Sequence, residues 1–192
     1  MDADPLEREW RRLRRRSRWA IAVVAVVLVA LTLPTLAVAF PAPAAVGPAD
    51  VIYVIGPPTP PRIALEARLR ARGIAPAALI SVPATGPLSE GGLTACRDTA
   101  VTCRVAVPFT TKGEALMLTR YAMQHPASRA VVITFTPHVD RTRYVFAKCY
   151  AGQVTVVGVD ERMSFREWVY QVLYQSAAFV KAWITPCAQL DD

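Results

Sequence analysis

Beyond residue 50 the chain alternates short apolar runs with amphipathic stretches, the pattern of strands exchanging with helices. Residues 51–55 form an apolar run closed by Gly56. Residues 61–72 then carry a helical period, with proline near the first turn and Gly73 as the stop. A second buried strand is predicted over 77–82. Residues 83–99, rich in Pro, Gly, Ser and Thr, show no period and predict a loop. The third strand is expected over 101–107, a helix over 111–124 and a fourth strand over 129–135. The AVVITF centre of that strand is apolar almost throughout, as in a strand covered on both faces. Residues 138–150 predict a further helix, 154–159 a fifth strand and 164–184 a long last helix. In that helix Phe165, Trp168, Val169, Val172, Phe179, Val180 and Trp183 recur at three- and four-residue steps, which reads as a stripe packed on the core, with a membrane-surface or partner face as the alternative that so many aromatics suggest. The alternation predicts an α/β fold, a three-layer α/β/α sandwich doubly wound around a mainly parallel sheet of about five strands.

The same pattern read upstream separates this domain from an appendage. Residues 1–18 are strongly basic, with seven arginines between Arg8 and Arg18, and residues 19–40 carry no charge at all. That stretch is long enough to cross ~30 Å of hydrocarbon, so a single transmembrane helix is expected. Arginine on its N-terminal flank predicts a cytoplasmic N-terminus and an extracytoplasmic domain. Ala37-Val38-Ala39 would also serve as the cleavage site of a signal peptide, with Pro34 breaking the helix before it. The length of the basic region and of the apolar stretch favours a retained signal anchor. Residues 41–49 predict a Pro/Ala linker that is extended and holds the domain off the bilayer. Residues 50–187 form the domain and 188–192 a tail.

Charge and cysteines narrow the partners. Residues 1–18 hold seven arginines and four acids, so beyond them the net +7 falls to +4, and no second basic stripe with interleaved aromatics follows. Contact with anionic lipid head groups is expected, and nucleic acid is not. Cys96, Cys103, Cys149 and Cys187 all lie on the predicted outer side, where disulfides form. Four cysteines allow three connectivities. Pairing Cys96 with Cys103 closes a short loop, and Cys149 with Cys187 ties the C-terminus to the body. No Cys/His spacing suits zinc, and no metal or cofactor is expected.

In doubly wound sheets ligands sit beyond the carboxyl ends of the strands, where the strand order reverses. Those ends are Gly56, Ser81, residues 108–111 and residues 134–138. Thr111 and Glu114 have the Thr-x-x-Glu spacing of a capping box, and a helix start at a strand end also suits an anion. His138 and Arg141 lie three apart at the next helix start, where they could hold an anion with the imidazole available for proton transfer; an exposed, solvated first turn has the same spacing. His125, at a helix end before Pro126, reads as structural. Tyr53, Tyr144 and Tyr150 read as packing residues, and Asp140 as support for its helix start. Nucleophile-elbow, Walker and dinucleotide motifs are absent from the sequence.

Taken in order, the strand running into Gly56 with Arg62 following, Thr111-x-x-Glu114-Ala115, Ile133-Thr134 and His138-x-x-Arg141 resemble the YdcF-like family, envelope proteins of the SanA and ElyC kind. The resemblance spans residues 50–159. It implies a membrane-anchored extracytoplasmic protein of envelope biogenesis that binds or acts on an anionic glycan or a phosphorylated lipid-linked precursor. His138 and Glu114 would then be the catalytic proton-transfer groups, and Gly56, Arg62, Ser81, Thr111, Thr134 and Arg141 the ligand-binding ones. The chain departs from the family where Gly56 is followed by Pro57-Pro58 and Ser81 by Val82-Pro83, because proline supplies no N–H. Those prolines favour the alternative, a non-catalytic scaffold that binds another envelope protein through its last helix or the 83–99 loop.

Overall fold

The computed structural model describes residues 5–187; the expected tail over 188–192 and the first four residues lie outside them. The chain divides into two units, one ending at residue 37 and one beginning at residue 38. The first is a continuous helix, α1 (Pro5–Ala39), with Pro34 inside it rather than ending it. Its stretch Arg12–Ala39 has the length and composition to cross a membrane.

The second unit is a five-stranded, all-parallel sheet with helices on both faces. Along the chain it comprises β1 (Val51–Val54), α2 (Pro60–Ala71), β2 (Ala77–Ser81), β3 (Val101–Arg104), α3 (Thr111–Gln124), β4 (Arg129–Phe135), α4 (Val139–Cys149), β5 (Gln153–Val159) and α5 (Phe165–Ile184). The strand order is β3-β2-β1-β4-β5, every pair parallel. The order reverses at β1, so the crevice is between the carboxyl ends of β1 and β4.

Strand alternation divides the core in two. Val51, Tyr53 and Ile55 face one side with Leu118 and Tyr121 of α3 and Val145 and Phe146 of α4. Ile52 and Val54 face the other with Leu69 of α2, Ala78, Ile80 and Val131. Gly73, at φ +72°, ends α2 in the left-handed region that a side chain would strain. The disulfides are Cys96–Cys103 and Cys149–Cys187. The first packs the 83–99 connection, which includes a short 3-10 turn at Thr94–Arg97, against the edge of β3.

Four expectations change. The third strand stops at Arg104 instead of 107, and Val105 and Val107 are exposed beyond it. The linker is not a free spacer: Val46 packs on the core and Arg143 donates to the Ala42 carbonyl oxygen. The apolar stripe of α5 is not core. Phe165 is 85% exposed, Trp183 67% and Val180 56%, whereas the buried residues of this helix are Gln175 and Ala182. His138, for its part, is buried rather than part of a solvated turn.

Candidate functional site

The site begins with how α3 starts. Beyond β3 the chain reaches Thr110, whose hydroxyl accepts from the Gly113 N–H at 3.2 Å and caps the helix. A Cβ at Gly113 would lie 1.8 Å from the Pro108 carbonyl oxygen, so glycine is what lets the loop cross the first turn. The expected capping box on Thr111 and Glu114 is therefore absent. With the cap one residue earlier, Thr111 becomes the first helical residue and Glu114 moves beyond the N3 position that a box requires. Glu114 reaches instead across the crevice, where its Oε1 accepts from the Gly56 N–H at 2.6 Å.

β4 supplies the opposite wall. Thr134 is its last residue but one, and after Phe135 a 3-10 turn, Thr136–His138, carries the chain into α4. The His138 ring is held at both nitrogens, Nδ1 3.1 Å from Thr134 Oγ1 and Nε2 3.3 Å from Thr111 Oγ1. One turn along α4, Arg141 donates from Nη1 to Thr111 Oγ1 at 3.2 Å and from Nε to Gln175 Oε1 at 2.8 Å. Its guanidinium carbon stands 5.6 Å from the Tyr174 ring centre. Arg141 forms no ion pair among the described residues.

These groups line a cleft of about 720 Å³ roofed by α5. Of the residues singled out in the sequence, Gly56, Thr111, Glu114, His138 and Arg141 reach it. Arg62, Ser81 and Thr134 do not: they are buried behind it. Arg62 is neutralised by Glu161, with Nε 2.7 Å from its Oε1, and lies over the Phe135 ring. Because Glu161 also accepts from the Thr59 hydroxyl, Arg62 ties the segment after β5 to the start of α2 rather than meeting a ligand. Gly56 lines the cleft, but its N–H is already taken by Glu114.

Lys112, Tyr174, Gln175 and Lys181 line the cleft without having been anticipated. The signal in the sequence is the pair Gln171 and Gln175, one turn apart on the side of the helix opposite its apolar stripe. Lys112 donates to the Thr185 and Pro186 carbonyl oxygens, and Lys148 to those of Ala182, Trp183 and Thr185. Together they hold the negative end of α5.

Burial sets the protonation states. It pushes the Glu114 carboxyl up to about 7, against the opposing pull of the Gly56 N–H, the nearby Ser81 hydroxyl, Arg62 and Arg141. Ser81 is close enough to favour the carboxylate, yet its hydroxyl makes no hydrogen bond among the described residues. Burial, then the charges of Arg141 and Arg62, hold His138 well below the usual histidine range, so the ring is neutral. The surroundings select its tautomer. Thr134 is fully buried and His138 is its one side-chain hydrogen-bond partner among the described residues, so its hydroxyl is best satisfied by donating to Nδ1. The proton then lies on Nε2 and is donated to Thr111 Oγ1, which also accepts from Arg141. Both oxygen lone pairs are then occupied, and the Thr111 O–H is free to donate into the cleft.

The arrangement can therefore offer an anion a guanidinium and a hydroxyl donor, beside a carboxyl that exchanges its proton near neutrality. Comparison with family models, with curated proteins and with solved structures finds no match.

Proposed function

We propose that this is a membrane-anchored, extracytoplasmic protein of YdcF-like type that binds an anionic, phosphate-bearing envelope precursor in the α5-roofed cleft and carries out proton transfer there. The carrying observation is Arg141, half-buried at the cleft with neutral hydrogen-bond partners and, among the described residues, no carboxylate in ion-pair contact, while Arg62 beside it is neutralised by Glu161. A guanidinium in that setting is completed by an oxyanion. Glu114 supplies the proton-transfer group, and His138, neutral and doubly bonded, positions Thr111. A lipid-linked or glycan phosphate is the substrate class that an anchored site would meet, and α1 supports the anchor by its length and composition.

The test is thermal stabilisation of the detergent-solubilised full chain by inorganic phosphate and by a short-chain isoprenyl phosphate. Wild type is expected to be stabilised, and Arg141→Gln to bind at least about tenfold more weakly, the loss of one charge-assisted contact. Equal stabilisation of the two proteins would sink the assignment. A scaffold role is favoured by one observation, the absence of free backbone donors at Gly56-Pro57. It predicts that the Arg141 variant retains full function in cells.

A further inference from the structure

α5 is an amphipathic helix mounted the wrong way round for a core helix. Its inward side carries Gln175 and Gln171, while Phe165, Val169, Leu173, Val180, Trp183 and Ile184 are exposed on the outward side. At 100° per residue those six fall within one third of the helix circumference. The helix is not loose. A capping box closes its start, Ser164 accepting from the Glu167 N–H while Glu167 accepts from the Ser164 N–H. Lys112, Lys148 and the Cys149–Cys187 disulfide hold its end. The fold thus presents a fixed apolar ridge of 20 residues, ~30 Å long.

We infer that this ridge lies in the head-group region of an anionic bilayer, parallel to its surface. Three observations select lipid over a second copy or a protein. Arg166 and Lys181 are exposed at the margin of the ridge, with Arg162 just before the helix, and the acid of α5, Glu167, has its carboxylate held by the Ser164 cap. Two such ridges packed symmetrically would bring like charges together, whereas acidic head groups complement them. Tyr170, Phe165 and Trp183 are the aromatic types that sit at the interface between hydrocarbon and water. Finally, the ten residues from Phe40 to Ala49 span at most ~35 Å, so a domain anchored through α1 cannot leave the surface. The inference rests on the anchor reading of α1 but not on the chemistry of the cleft.

The full chain is reconstituted into vesicles of phosphatidylcholine with one quarter phosphatidylglycerol, with a nitroxide at Leu173→Cys or Val180→Cys. All four native cysteines are disulfide-bonded, so the new thiol is the one labelled. Arg68→Cys, exposed on α2, is the water-facing reference. Accessibility to oxygen relative to a water-soluble nickel chelate is expected to be severalfold higher at 173 and 180 than at 68. Adding Val169→Glu and Trp183→Glu, both exposed and so harmless to folding, returns position 173 to the reference value. Retention in the bilayer with reference-like values at 173 and 180 overturns the docking alone. A chain that washes off the vesicles overturns the anchor, and the docking with it. Spin–spin broadening at 173 that vanishes on dilution with unlabelled protein assigns the ridge to a second copy and overturns the lipid assignment.

Discussion

Glu114 and His138 are both buried in the form that carries less charge, and the pH dependence of folding should carry two opposite signatures. The Glu114 carboxyl is raised from its ordinary value to about 7, so between about 4.5 and 7 the folded state holds a proton that the unfolded state has lost. Its contribution is fully present below about 4.5 and disappears as pH rises through about 7. The His138 pKa is depressed, so its contribution is present above about 6.5 and is lost as pH falls below that. Between about 5 and 6.5 the two oppose each other, each by up to about 1.4 kcal/mol per pH unit. Asp50, Asp98 and Glu167 are held below the usual carboxylate range, so they act only at more acid pH. Urea unfolding at half-unit steps from pH 5 to 7.5 tests this. Glu114→Gln is expected to become more stable as pH rises to 6.5, and His138→Gln less stable, with wild type flatter than either. Parallel curves for the three proteins would contradict the assigned states. Residues were legible here by type but not by role. Thr110 and Thr111 are both good caps, and one position of slip turns Glu114 from a helix cap into a group that spans the crevice.

At the scale of elements, the β3–α3 crossing and the fastening of α5 decide the shape of the cleft. Gly113→Ala places a methyl inside the Pro108 carbonyl, so the loop must move off the helix. The expected cost is about 1–3 kcal/mol by denaturant titration, as for other overpacked sites, together with weaker phosphate stabilisation because Thr111 shifts with the turn. A variant as stable as wild type would mean that this crossing is not as close as described. The two disulfides should differ in weight. Closing 38 residues restricts the unfolded chain more than closing 7, about 4 against about 2 kcal/mol in the chain-entropy treatment. Cys149→Ala/Cys187→Ala is therefore expected to lose more stability than Cys96→Ala/Cys103→Ala, and to lose hydrogen-exchange protection at the end of α5. Equal losses would place the stabilisation elsewhere. The strands and α2–α4 were readable because their apolar positions do face a core. α5 was misread for a physical reason: periodicity reports that a helix has an apolar face, not whether protein covers it.

At the scale of the whole molecule, the two units carry charge in a way that fixes their expected topology. Seven arginines lie between residues 8 and 18, whereas from residue 41 to 61 the chain has no arginine or lysine and a single acid, Asp50. That asymmetry across one apolar span predicts a cytoplasmic N-terminus and an exported sheet domain. Two disulfides in the domain agree with an oxidising side. The two indications are independent, because one acts during insertion and the other after it, and a single thiol assay reads both. In intact cells a membrane-impermeant maleimide is expected to leave the wild-type chain unlabelled until reductant is added, after which the cysteines react from outside. Replacing Arg11, Arg12, Arg14, Arg15 and Arg16 by Gln removes most of the bias, and a fraction of the chains is then expected to insert inverted. In that fraction the domain stays in a reducing compartment, where its thiols are free but beyond the reagent until the cells are opened. Wild-type thiols found free and reactive only after lysis would show an internal domain, and would remove the anchor orientation on which the lipid-linked substrate class depends.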